Sequence, residues 1–195
     1  MRLKTCVSVM TCVMFLGFGA AARADVIDFE SGLDGLFTYA AVSAYSDGCS
    51  SCLPGTGYQQ ILDATGSQGA VFNPFAQSPS DFLWNGPGTF DLTSFLIAGA
   101  WGDQNLTIEG WNNGALLYSA ILPVTTTPET FLPNWHGLDQ LRIVIDPAGY
   151  TQTVFEGGGQ HWALDNLTVN ESVPEPASIL LLGGGLLAVA RRRRA

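Results

Sequence analysis

The chain has 195 residues and a formal net charge of −9 at pH 7, enough length for one good core but not for two large domains. Seven of the eight basic residues lie within residues 2–23 and 191–194, so Arg142 stands alone against fifteen acids over residues 25–170. Such a surface repels nucleic acid and anionic lipid. It leaves two readings open, attraction of divalent cations or simple solubility of an exported domain.

Residues 1–24 open on Arg2 and Lys4, run apolar from Cys6 to Gly19 and end in Ala22-Arg23-Ala24. A charged start, a short apolar core and an A-x-A end describe a secretory signal peptide, helical and cut after Ala24. The competing reading is a retained anchor, for which the apolar run is short.

The working domain is expected over residues 25–170. No long stretch there has helical periodicity. Short β-rich runs recur instead, broken by Gly, Pro, Asn and Asp. They fall at residues 26–29, 70–72, 81–84, 94–101, 105–111, 116–124, 129–135, 141–145 and 161–169. In the fifth run Leu106, Ile108 and Gly110 alternate with Thr107, Glu109 and Trp111, and Asn112-Asn113-Gly114 then signals a tight hairpin. Residues 43–68, rich in Ser, Gly and Asp, read as a long loop. About eight strands without helices predict an all-β fold, a single antiparallel β-sandwich of jelly-roll type. The signal-peptide helix and a C-terminal transmembrane helix would flank it.

Cys49-Ser50-Ser51-Cys52 lies in that loop. In an exported chain a local disulfide is the leading expectation. Free thiols, or a metal or redox role, are the alternatives, although a redox C-x-x-C normally opens a helix and zinc would need two further ligands.

Two constellations carry chemistry. The first strand offers Asp28 and Glu30 on one face, and alternation along the last strand groups Asp165 with Ala163, Leu167 and Val169. A buried carboxylate needs a partner or a metal. Should first and last strands pair, three carboxylates converge on what Ca²⁺ requires. Asp28-Phe29-Glu30 and Ala163-Leu164-Asp165-Asn166 resemble the opening and closing strands of MAM domains and carbohydrate-binding modules. That resemblance implies a structural calcium ion held by Asp28, Glu30 and Asp165. The competing reading leaves Asp165 facing solvent. The second constellation is aromatic. Trp111 beside the hairpin turn and Trp135 before His136-Gly137 could stack on sugar rings, against the simpler reading that tryptophans fill the core. No G-x-S-x-G, H-E-x-x-H or phosphate loop is present, and no enzyme is expected.

The end of the chain, residues 171–195, is a third segment. Pro174-Glu175-Pro176 precedes a fourteen-residue apolar stretch, 177–190, and then Arg191, Arg192, Arg193 and Arg194. The stretch is short for a span of about twenty residues, the arginines stop translocation by the positive-inside rule, and the prolines fix an extended segment outside the membrane. In that order the three parts closely resemble the PEP-CTERM sorting signal of Gram-negative bacteria. The resemblance implies an exosortase as partner, transient anchoring in the inner membrane by the C-terminal helix, and delivery to the cell surface or an extracellular biofilm matrix.

The expected function is therefore an exported, non-catalytic surface or matrix protein, binding extracellular polysaccharide and carrying calcium. The rivals are a secreted glycan hydrolase on the same scaffold and a thiol oxidoreductase built on Cys49 and Cys52.

Overall fold

The computed structural model describes residues 24–171. The thirteen strands are β1 (Ala24–Ile27), β2 (Phe37–Ala40), β3 (Ser43–Tyr45), β4 (Ala70–Phe72), β5 (Ser80–Trp84), β6 (Phe90–Gly99), β7 (Gly102–Asn112), β8 (Ala115–Val124), β9 (Glu129–Phe131), β10 (Trp135–Leu138), β11 (Gln140–Ile145), β12 (Thr151–Gln152) and β13 (Trp162–Glu171). One α-helix, α1 (Gly57–Thr65), interrupts them. No helix among the described residues is long and apolar enough to cross a membrane. The signal-peptide and transmembrane helices expected from the sequence lie outside the described residues.

All strand pairs are antiparallel, and they form two sheets packed face to face. The seven-stranded sheet runs β10-β6-β13-β4-β3, with β9 on β6 and β1 on β13. The six-stranded sheet runs β12-β7-β11-β5-β2, with β8 on the other side of β7. First and last strands pair as expected, Ala24 with Asn170 through Ile27 with Leu167. Between the sheets lie Phe82, Phe90, Leu92, Phe95, Ile97, Leu106, Ile108, Leu141, Ile143, Trp162 and Leu164, all fully buried.

The β7–β8 hairpin shows why these residues form these elements. Leu106 and Ile108 point to the core while Thr107, Glu109 and Trp111 point outward, as their period of two requires. Asn113 and Gly114 both take positive φ, 49° and 74°, in the two-residue turn. That turn follows the right-handed strand twist and favours Asn-Gly. Gly110 stays bare because Leu138 and Trp135 lean on its inner side.

Three expectations need correction. Residues 43–68 are not one loop. They hold β3, the Cys49–Cys52 turn and α1. Thr56 caps the helix by accepting from the Gln59 N–H at 3.3 Å, and Gly66 ends it at φ 70°. Residues 129–135 are not one strand either. Pro133 removes a donor and Asn134 takes φ 49°, which splits the run into β9 and β10. Finally, β13 carries a bulge. Asn166 is left-handed at φ 52°, and the pairing with β6 shifts register after Asp165. The extra residue flips the alternation, so Leu167 and Val169 join Trp162 and Leu164 in the main core, while Ala163 and Asp165 face the other way, toward α1.

Candidate functional site

The outer face of the six-stranded sheet is bare of helices. Its outward positions are Asp81 and Leu83 on β5, Gln140, Arg142 and Val144 on β11, and Thr107, Glu109 and Trp111 on β7. Register sets Arg142 beside Asp81 on one side and Glu109 on the other, and Gln140 beside Trp111. The Arg142 guanidinium donates through Nε to Asp81 Oδ1 at 2.6 Å and through a terminal nitrogen to Oδ2 at 3.4 Å. It also lies 5.4 Å from the Trp111 ring centroid, within cation–π range. Gln140 donates to Asp81 at 2.8 Å, and the Trp111 indole N–H donates to Glu109 at 2.9 Å. The domain's lone cation thus fixes an aromatic ring and three planar polar groups on one rigid face.

Trp135, the second tryptophan singled out, lies elsewhere. It packs on the inner side of Gly110, stacked on Tyr118 at 5.3 Å and 9°, with Phe131 edge-on at 5.7 Å. Trp111 and Trp135 point to opposite sides of β7 and do not form one platform.

The acidic constellation gathers around the turn at residues 67–69, on the α1 side of β13. Asp165 is fully buried. Its Oδ1 accepts from the Asn166 N–H at 2.7 Å, and its Oδ2 has no hydrogen-bond partner. The Thr65 and Ser67 hydroxyls face it, but their closest contacts are to the carbonyls of Ile61 at 2.9 Å and Gly69 at 2.8 Å. Burial pushes the Asp165 carboxyl up to about 6, with the charge of Asp28 adding to the rise and the Asn166 N–H opposing it. Asp28 belongs to the turn after β1, where its Oδ1 accepts from the Glu30 N–H at 3.2 Å. Glu30 reaches the same 67–69 turn from outside, accepting from the Gln68 N–H at 3.0 Å. Asp28, Glu30 and Asp165 therefore ring one turn, but among the described residues no three carboxylate, histidine or cysteine groups close on a common point. The orphaned Asp165 oxygen fits a cation, and the Glu30 placement fits it less well. Asp28 is open to solvent, because a cleft of about 440 Å³ runs past Asp25, Asp28 and Asp34.

A third feature was not legible in the sequence. Tyr45 from β3, Tyr58 from α1, Phe72 from β4 and Trp101 from the β6–β7 corner line a pocket of about 250 Å³, walled on one side by the joined Cys49 and Cys52. Their rings meet edge to face: Tyr58 lies 5.7 Å from Phe72 at 80° and 5.8 Å from Trp101 at 84°. Burial pushes both phenols well above the ordinary tyrosine value, so they stay neutral. Tyr45 donates to the Tyr58 carbonyl at 3.1 Å. Behind Trp101 lies Gly157, where a Cβ would sit 2.1 Å from the indole ring. The missing side chain at Gly157 leaves the ring room to stand there. The local signals that could have revealed the pocket are the helix brackets, Thr56 with Gln59 and Gly66.

Pro174, Glu175, Pro176 and the four terminal arginines lie outside the described residues. Residues 172–194 match the PEP-CTERM protein-sorting motif. That motif implies exosortase processing and an exported protein, transiently membrane-anchored and sorted to the cell surface. No curated protein matches the chain. Among solved structures, the sandwich is similar to a point mutant of a family 29 carbohydrate-binding module made to probe ligand recognition, at TM-score 0.46 and 13% identity over 80% of this chain and 99% of the other. It is also similar to TmCBM61 in complex with β-1,4-galactotriose, at TM-score 0.36 and 13% identity over 74% of this chain and 94% of the other. These are likenesses of fold and carry no ligand to this chain.

Proposed function

With that address as premise, we propose that the chain is a non-catalytic surface protein of a Gram-negative bacterium that binds polysaccharide. The body domain is residues 25–170, between a signal peptide at 1–24 that is removed and a sorting segment at 171–195 within which the exosortase cuts. The observation that carries the reading is the open sheet face, where Trp111 is held under Arg142 with Asp81, Gln140 and Glu109 around it. A sugar ring has an apolar C–H face and a rim of hydroxyls. It needs an aromatic platform and planar polar groups pre-set on rigid strands, because ordering them on binding would cost affinity. The two carboxylates beside Trp111 and Arg142 are held as fixed acceptors, Asp81 by Arg142 and Gln140, and Glu109 by Trp111, a pre-set rim for sugar hydroxyls.

The test is affinity electrophoresis of the full chain in detergent through gels containing neutral β-glucan, galactan or mannan. Retardation by one of them is expected, with Trp111→Ala weakening it by about 30-fold, the loss of a central aromatic anchor. Equal retardation of wild type and variant would overturn the sheet-face site. Turnover of the glycan to reducing ends would favour the hydrolase instead.

A structural Ca²⁺ belongs to the same proposal, on the strength of the orphaned Asp165 oxygen. Asp165 and Asp28 would hold it, with Ser67 and backbone carbonyls supplying neutral oxygens and Glu30 as the further carboxylate. The ion would tie β1 to β13 and both to the end of α1. Calcium added to chelator-stripped chain should raise the melting temperature, and Asp165→Asn should remove that rise.

A further inference from the structure

We propose that the pocket of Tyr45, Tyr58, Phe72 and Trp101 is a second glycan site, taking one uncharged sugar ring at a chain end or branch, so that a single domain joins two polysaccharide segments. This rests on the polysaccharide-binding reading above. Tyr45 and Phe72 point away from the core on the seven-stranded sheet, with Ala70 and Ala163. Trp111 points outward from the six-stranded sheet. The two sites therefore lie on opposite sides of the sandwich and cannot serve one sugar unit.

Size, polarity and charge choose the occupant. About 250 Å³ is below the roughly 300–1,000 Å³ of a drug-sized site, so the pocket admits one ring and not a chain. Its walls are aromatic, and three of the four rings carry a polar atom. Tyr45 Oη donates to the Tyr58 carbonyl and can still accept, the Tyr58 hydroxyl is paired with the Trp101 indole, and Ser51 adds a further hydroxyl to the lining. That combination suits a ligand apolar on its face and hydroxylated at its edge. No charged side chain lines the pocket, and the domain around it has fifteen acids to one base, so an anionic sugar is disfavoured. The disulfide replaces a mobile loop by a fixed wall, which lowers the ordering cost of capture. Two sites on opposite faces turn weak single contacts into cross-links between chains.

The experiment is calorimetric titration of the full chain in detergent with cello-, galacto- and mannopentaose, together with turbidity on mixing with the matching polysaccharides. Two equivalents per chain are expected for the wild type, and turbidity with the polysaccharide. Trp101→Ala and, independently, Ser51→Trp, which fills the mouth from an exposed position, should each leave one equivalent and no turbidity. Trp111→Ala should leave the other equivalent. Ser51→Trp should keep the wild-type melting temperature, so its loss of binding cannot be blamed on unfolding. One equivalent in the wild type, abolished by Trp111→Ala and untouched by the pocket variants, would overturn the pocket while the sheet-face reading stands. One equivalent abolished only by the pocket variants would uphold the pocket as a glycan site and overturn the sheet face together with the cross-linking. Binding of an apolar dye in the pocket that no sugar displaces would overturn the proposal as well.

Discussion

The outer face of the six-stranded sheet is bare of helices and mixes polar with apolar side chains, whereas that of the seven-stranded sheet is roofed by α1 and the disulfide turn. On the bare face every group of interest is a strand side chain at a regular register position, held by its neighbours' side chains, as Arg142 holds Asp81 and Trp111. Under the roof the important groups are held by backbone. Gly57 donates to the Ala100 carbonyl at 2.9 Å, Asp165 faces α1 just before the Asn166 bulge, and the 67–69 turn lies beside it. One face is preorganised by pairing and the other by packing, so they should respond differently to pH, to volume and to charge.

The largest contrast is expected at Asp165. Its folded-state value is raised from 3.8 to about 6 by burial. Below pH 4 the folded and unfolded states both carry the proton and nothing is lost. As pH rises from about 4 to 6 the unfolded chain releases its proton while the folded chain keeps it, so stability falls through that window and stays lower above it. At about 1.4 kcal/mol per unit the fall is roughly 3 kcal/mol. Urea unfolding of chelator-treated chain against pH, compared with Asp165→Asn, isolates this group from the other acids. The difference between the two should open between pH 4 and 6 and then level. Calcium should reverse the sign, since it needs the ionised carboxylate. Parallel pH curves for wild type and variant would mean that the carboxylate is solvated.

Next comes the roof itself. A Cβ on Gly57 would sit 2.2 Å from the Gly99 carbonyl oxygen, a backbone atom that cannot turn aside. Gly57→Ala should lift the start of α1 and cost about 2 kcal/mol, in the range of overpacked cores. Trp101 fluorescence should shift, because Tyr58 moves with the helix, while retardation by polysaccharide through Trp111 persists. Loss of both together would mean that the two faces are not independent.

What was legible in the sequence follows the same division. β7 was readable because its inward and outward residues alternate from Gly102 to Trp111, and β8 because Asn113-Gly114 has one preferred turn that returns the chain onto it. Trp111 could be singled out because it ends such a strand. Neither the side nor the company of Asp165 could be read, since one left-handed residue at 166 reverses the alternation beyond it. β2, β3 and β12 have two to four residues each, too few for a period to show. The pocket draws on four separate segments, and Tyr45, Tyr58, Phe72 and Trp101 meet only because α1 crosses β4 and β13. Trp135 stood out beside a His-Gly pair, but local sequence does not say which side of a sheet a ring will take when Gly110 opposite leaves it room.

The smallest effect on stability, and the most telling for the bare face, is expected from Arg142→Lys. The pair with Asp81 is half open, at 31% and 16% side-chain exposure, and partly exposed ion pairs contribute about 0–1 kcal/mol. The melting temperature should therefore move little. Lysine keeps the charge but loses the planar fork that engages both Asp81 oxygens and lies over Trp111. Asp81 and Trp111 would then be free to turn, and binding would have to order them. Affinity for the polysaccharide should fall by about tenfold with hardly any change in stability. On the roofed face the contacts that hold the geometry are backbone ones, so a change that disturbs them, as Gly57→Ala does, costs stability first. If Arg142→Lys instead lowered the melting temperature as much as Gly57→Ala while leaving binding intact, the bare face would be a structural surface, and the division between the two sheets would fail at its most exposed point.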